Sequence, residues 1–415
     1  MTPLLLTGRM RAAERAVAAS DRITLGFIGT GDHGINVNLK SFLEQDDAQV
    51  VAVCDVFATR RERARQLVDT RYGTTGCRAY ADFRDLLAAP DIDAVVISTP
   101  DHWHVPISIL AVQAGKDVMC EKPTYTISEG RALVDLVRKK QAVFQVGLED
   151  RSVIQYHMLA EWVRNGAIGQ LHTIHVGLPP GRIHPREEPA PVPAELDYDL
   201  WTGPASLSPY TPKRTEQWHW RCIRDYSGGT FTDWGSHLLD TAQVANFAEA
   251  SGPVAVEGHG DYPQDAMSTT PSHYNLRYRY ANGVEMIVQS TGTALRFEGS
   301  NGWVGNRGWR GRLEASDHSI LQIKYAPGTS KLWPRPPSEH RNFLNCVKSR
   351  QPTTYTADAG HRLSSVMHIG NIAMVLGRKL RWDPQAEAFL GDERANQMRS
   401  RPARAPWQIS TLIPA

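Results

Sequence analysis

Cysteine is scarce. Five thiols (Cys54, Cys77, Cys120, Cys222 and Cys346) are spread through 415 residues, with no CxxC spacing among them. That argues against a disulfide scaffold or a zinc ribbon and for reduced thiols. Long apolar runs are missing as well. The stretch Asp93-Ala-Val-Val-Ile-Ser98 is among the longest, far short of the roughly 18 residues a membrane helix needs. Neither sign of charge dominates: Lys plus Arg number 46 and Asp plus Glu 44, a net +2. No global field is left to hold nucleic acid or an anionic membrane surface. The chain shows no internal repeat, and its only biased block is a Pro-rich stretch.

What remains is a globular composition, 41% hydrophobic and 22% charged. At roughly 100–200 residues per domain, two domains are expected. Residues 1–21 are Ala- and Arg-rich, with only Leu4-Leu5-Leu6 as an apolar cluster. A secretory leader wants about 7–15 apolar residues in a row. A helical or disordered leader in a cytoplasmic protein is therefore expected, with a truncated or atypical export leader as the alternative. The expected division is leader 1–21, a nucleotide-binding domain 22–147, a substrate and oligomerisation domain 148–381, and a polar tail 382–415.

Ile23-Thr-Leu-Gly-Phe-Ile28 reads as a buried parallel strand running into Gly29-Thr30-Gly31-Asp32-His33-Gly34. In this GxGxxG spacing Gly29 would make the tight turn, Gly31 would admit a pyrophosphate, and Gly34 would let the next helix pack close. A second strand, Gln49 to Cys54, ends at Asp55, about 20 residues beyond Gly34, where an acid bonds the adenosine ribose. Such an acid also repels a 2′-phosphate. NAD is thus expected over NADP, with Arg60 and Arg61 close enough to soften the preference.

The strand Ala94 to Ser98 stops at a loop carrying Thr99, Pro100, His102 and His104; His104 is a candidate contact for cofactor or substrate. The two histidines lack the further ligands a metal would need, so no metal is expected. A further strand, Lys116 to Cys120, is followed by Glu121-Lys122-Pro123. A lysine there would reach the nicotinamide and a substrate hydroxyl, favouring alkoxide character. Alternating strands and helices up to Gly147 give an α/β doubly wound parallel sheet.

Glu121-Lys122-Pro123, following a GxGxxG turn and a Thr-Pro-x-x-x-His loop, resembles the glucose–fructose oxidoreductase, inositol dehydrogenase and MocA-type group (Gfo/Idh/MocA). The resemblance extends from about Ile23 to about Leu380, loosely in its second half. It implies a Rossmann domain followed by an α+β domain with a large open, mostly antiparallel sheet, often used for oligomerisation. It also implies NAD(P) and a sugar or polyol substrate. Two departures stand out: Thr124-Tyr125 after the tripeptide, and the length of 178–225.

In the second domain, Leu148 to Gly169 carries helical spacing and Leu171 to Val176 alternates like a strand. Pro179 to Pro193 holds six prolines, so the region that follows is expected to be a lid or a partner-contacting arm. Gly228-Gly229 precede Asp233 and His237, which share a helix face at i, i+4 spacing. An imidazole can take a hydroxyl proton near neutral pH, and a carboxylate can orient it. The family carries a matching Asp-x-x-x-His element. His237 is the expected proton acceptor, Asp233 its orienting partner, and Lys122 the electrostatic group. Arg151 and Trp220 are further substrate-binding candidates, with an ion pair as the competing reading for Arg151. Tyr274 to Tyr280 and Gly283 to Gln289, joined through Asn282-Gly283, predict a hairpin.

These residues point to an NAD-dependent oxidoreductase acting on a secondary alcohol of a carbohydrate or polyol, in a homodimer or homotetramer. An alternative is a glycoside hydrolase that oxidises its substrate transiently and recycles NAD. It needs an additional base, for which Tyr210, Tyr226 and His219 are candidates. A non-catalytic nucleotide-binding protein would have no use for Lys122, Asp233 and His237 together.

Overall fold

The computed structural model describes residues 21–326 and 328–414. All but the last residue of the expected leader lies outside them. Six parallel strands form the first sheet: β1 (Ile23–Ile28), β2 (Ala48–Cys54), β3 (Arg78–Tyr80), β4 (Ala94–Ile97), β5 (Asp117–Glu121) and β6 (Phe144–Gly147). Their order is β3-β2-β1-β4-β5-β6. The central strands are apolar almost without a break because helices cover both faces. Chain order reverses between β1 and β4, which opens a crevice beyond their carboxyl ends. One expectation fails here. The stretch after Thr99 is not a loop, because Pro100 caps a helix over Asp101–Gln113. Asp101 suits its first turn, and Val105, Ile107 and Ile109 bury its sides.

The second sheet has nine strands: β7 (Leu171–Gly177), β8 (Ala255–Asp261), β9 (His273–Arg279), β10 (Glu285–Gln289), β11 (Ala294–Gly299), β12 (Gly302–Arg307), β13 (Leu313–Ala315), β14 (Leu380–Asp383) and β15 (Ala388–Phe389). The order is β13-β12-β11-β7-β10-β9-β8-β14-β15, antiparallel throughout except for β7 beside β10. The Asn282-Gly283 turn joins β9 to β10 as expected, with Gly283 at φ +87°. Along β9, Tyr274, Leu276 and Tyr278 point into the core while His273, Asn275, Arg277 and Arg279 face outward. The helices Thr230–Ala245 and Ala357–Leu376 pack against the inner face, in a core continuous with the β5–β6 side of the first sheet.

Two segments without periodicity are nonetheless packed. The arm after β7 returns across the nucleotide-binding domain: Ala58 N–H donates to the Glu195 carbonyl (2.8 Å) and Asp197 N–H to that of Val56 (3.2 Å). Its own small core gathers Tyr198, Trp201, Tyr210, Trp220 and Tyr226. The stretch beyond Trp382, polar and patternless in sequence, is a strap. Trp407 is buried against Trp103 at a ring separation of 4.7 Å, and the Leu412 carbonyl accepts from Gln113 (2.7 Å). Isolated anchors hold a strap, so no repeat of 2 or 3.6 residues announces it.

Candidate active site

At the end of β1 two glycines are sterically required. Gly29 sits at φ +89°, and a Cβ there would come within 2.6 Å of the Ser98 carbonyl carbon. A Cβ on Gly34 would lie 2.3 Å from the Gly29 oxygen. Gly31 faces open space instead, with nothing nearer than Arg60 at 3.9 Å. The following helix, Gly34–Leu43, begins with wide i→i+5 turns and aims its amino terminus at this gap. That combination fits a dinucleotide pyrophosphate.

Asp55 borders the same cleft. Its carboxylate accepts from the backbone N–H of Thr30 (2.7 Å) and of Phe57 (2.9 Å), which fixes its orientation. Arg60 lies over the Phe57 ring, Arg63 pairs with Asp32 at 3.1 Å, and both line the cleft. Arg61 turns back to the Asp55 carbonyl (2.6 Å). Glu121 is a brace: its Oε1 meets His33 Nε2 at 3.0 Å and accepts from Asn38 at 2.8 Å. Burial would raise the Glu121 carboxyl, but His33 holds it down at about 2, and Glu121 in turn raises His33. The His104 ring bridges the carbonyls of Thr99 and Pro123, both at 2.9 Å, with one edge on the cleft.

The cleft, about 540 Å³, continues without interruption from this cradle to Lys122, Asp233 and His237. Trp218, Trp220 and Trp234 line its wall, Trp218 and Trp220 delivered by the returning arm. Of the residues expected at the site, Thr30 and Arg151 alone do not line it; the Thr30 hydroxyl is turned onto Asp55 (3.2 Å).

Asp233 has another partner than expected. Lys122 Nζ donates to its Oδ1 (2.7 Å) and to its carbonyl (2.8 Å), while Arg221 stands 3.5 Å from Oδ2. Burial would raise this carboxyl, yet Lys122 and Arg221 hold it well below the usual range. His237 Nδ1 is engaged by Asp150 Oδ2 at 2.7 Å. Burial and the Lys122 charge press His237 down to about 3, so the imidazole alone is not the neutral-pH base expected of it. Asp150 lies on the turn Glu149–Ser152, just past β6, where ligands meet a parallel sheet. That position was the one signal that could have found it.

For Arg151 the substrate-binding reading is corrected, and the structure shows the competing one, an ion pair. Its guanidinium grips Asp240 with two bonds (2.9 and 2.7 Å), donates to the Thr354 carbonyl (2.7 Å) and lies 3.8 Å over Tyr355. It is buried away from the cleft. Arg151→Met is expected to destabilise the fold by about 3–5 kcal/mol, because a buried carboxylate loses its cation. Urea unfolding measures this, and an unchanged midpoint would count against the structural role.

Among the described residues, Glu149, Asp150 and His237 bring metal-ligand-type atoms within 4.8 Å of one another. Arg310 already holds Glu149 (2.7 Å), while Asp150 and His237 hold each other. All three side chains are thus engaged by neighbours within the protein.

Family models cover most of the chain: "Oxidoreductase family, NAD-binding Rossmann fold" matches residues 23–148, and "Oxidoreductase family, C-terminal alpha/beta domain" matches 182–409. The chain belongs to the Gfo/Idh/MocA oxidoreductase family. This family member is 28% identical to D-glucoside 3-dehydrogenase of Escherichia coli over 159 residues, 38% of this chain and 44% of that protein. It is 31% identical to a glycosyl hydrolase family 109 protein of Shewanella pealeana over 160 residues, 37% of this chain and 35% of that protein. The matches thus span less than half of either relative. In fold it resembles the aldose-aldose oxidoreductase of Caulobacter crescentus, solved with glycerol, at TM-score 0.64 and 20% identity, covering 87% of this chain and 99% of that one. No helix among the described residues is long and apolar enough to cross a membrane.

Proposed function

We propose that this protein oxidises a secondary alcohol of a sugar, glycoside or polyol, passing the hydride to NAD. The observation that carries the reading is one continuous cleft joining the glycine cradle to Lys122 and His237. Bound at the cradle, the nicotinamide would supply the hydride acceptor. Lys122 stabilises the oxygen as its charge grows, and His237 takes the hydroxyl proton through Nε2, the nitrogen Asp150 leaves free. The tryptophan-lined wall suits the C–H face of a sugar ring.

NAD is proposed over NADP because Asp55 would meet a 2′-phosphate as a like charge, and Asp32 neutralises Arg63. The outward face of the nine-stranded sheet supports a homodimer or homotetramer. The transient-oxidation hydrolase suggested by the family 109 relative needs a further base. Of its candidates, Tyr210 and Tyr226 are buried in the arm and His219 stacks on His184 at 3.9 Å, so none lines the cleft.

The test follows NADH absorbance with NAD+ or NADP+ against free sugars, polyols and chromogenic glycosides. Net NADH with a free sugar or polyol is the expected result. Chromophore release without net NADH would move the assignment to the hydrolase, and silence throughout would overturn both.

A further inference from the structure

The site holds two separate acid–base pairs, not one triad. Asp233 is committed to Lys122. His237 is committed to Asp150, 87 residues earlier in the chain, across 2.7 Å. Asp150 is almost fully buried, and its other oxygen, Oδ1, has no hydrogen-bond partner. The rings of Trp309 (4.6 Å) and Trp234 (5.9 Å) pack on His237 and restrict its rotation.

We propose that Asp150 is the proton-holding partner of His237. Each oxidation sends the substrate hydroxyl proton to His237 Nε2 while the proton on Nδ1 passes to Asp150. The proposal rests on His237 being the proton acceptor of the reading above. The balance is simple. The alcohol loses its O–H proton to Nε2 and its hydride to the nicotinamide; the Nδ1–H bond breaks as an O–H bond forms on Asp150. The pair ends one proton richer and uncharged, and no imidazolium is left beside the Lys122 ammonium.

The surroundings favour that final state. Around Asp150, burial and the Asp240 carboxylate raise the carboxyl to about 8, against the opposing charges of Arg310 and Lys122. Arg151 is already spent on Asp240. Glu339, buried nearby and itself pushed well up, faces the same group of carboxylates, which includes Glu149 and Glu121. Tyr156 and Tyr355, the phenols on this side, are both raised and stay neutral. Around His237, burial and Lys122 oppose a ring charge more than Glu149, Asp233 and Glu121 support one. A proton shared by this pair therefore resides on the carboxyl oxygen.

The sign of the pH dependence follows. Above about 8 Asp150 is ionised, Nδ1 carries the ring proton and Nε2 is free to accept. Below it the Asp150 O–H donates to Nδ1, Nε2 carries the proton, and the base is blocked. Alcohol oxidation should rise tenfold per pH unit up to about 8 and then level, while ketone reduction stays level up to about 8 and falls tenfold per unit above it.

The deciding experiment needs no substrate. Full-length protein carrying 15N-labelled histidine rings is titrated by NMR from pH 6 to 9.5, with the His237 signals assigned by their loss in His237→Gln. The expected result is a ring that stays neutral and switches from the Nε2–H to the Nδ1–H form near 8. In Asp150→Asn the ring should keep one tautomer at every pH with no switch near 8, and oxidation should lose its acid limb along with about 100-fold in turnover, at nearly unchanged KM. An imidazolium titrating between 6 and 7, or a wild-type tautomer that never switches, overturns the proposal. Should Asp150→Asn fail to fold, the wild-type titration decides alone. Silence on the sugar panel would sink the dehydrogenase reading without touching the ring titration, so the two failures are distinguishable.

Discussion

Exchanging Lys122 for methionine is expected to lower turnover by about 10²–10³-fold while NADH still binds. Removing one preorganised donor aimed at a developing oxyanion costs about that much. Lys122 Nζ stands where the cradle meets the proton acceptor, pinned by two bonds to Asp233 at 2.7 and 2.8 Å. Methionine keeps most of the chain length and the packing but none of the charge. The cradle at Gly29, Gly31 and Gly34 has no contact through Lys122, so NADH affinity, read by fluorescence titration, should change less than about threefold. Asp233 would keep only Arg221, at 3.5 Å, and a buried carboxylate stripped of its first partner weakens the fold. Thermal unfolding must therefore be followed alongside kcat. Turnover within tenfold of wild type in a folded variant would remove Lys122 from the chemistry.

How much of this was readable in advance depends on the range of each interaction. The nucleotide-binding half is local: a strand, a glycine turn and a helix start lie within about a dozen residues of Ile23, and each is recognisable from its own composition. The parallel, doubly wound character of the first sheet follows from the alternation of strands and helices. The acid–base pairing was not readable, because an i, i+4 spacing places Asp233 and His237 on one face without saying which neighbour each will meet. Their true partners lie far along the chain: Lys122 is 111 residues from Asp233, and Asp150 is 87 from His237. For Arg151 the ion-pair reading stood without a named partner for the same reason, since Asp240 sits 89 residues away. The arm and the strap escaped because Trp201 and Trp407 act as single anchors, and one buried tryptophan makes no period.

Replacing His237 by alanine is expected to lower oxidation by about 10³-fold, within the 10²–10⁴ range of a lost general base. NADH affinity should barely move, because the glycine cradle does not depend on the imidazole. Asp150 would lose its hydrogen-bond partner, yet its raised carboxyl can stay protonated and neutral up to about 8. The stability cost should accordingly be that of an unsatisfied buried polar group, about 1–3 kcal/mol, and less than that of a buried ion pair that loses one partner. The ring it vacates is walled by Trp234 and Trp309, so added 4-methylimidazole has a shaped space to enter and should restore part of the rate. Rescue would have to depend on Asp150: in the Asp150→Asn, His237→Ala double variant the rate at a fixed concentration of the neutral imidazole should no longer rise through about 8. A rescued rate with that rise intact would mean that another group receives the proton, and Glu149, on the cleft beside Asp150, would be the residue to examine next.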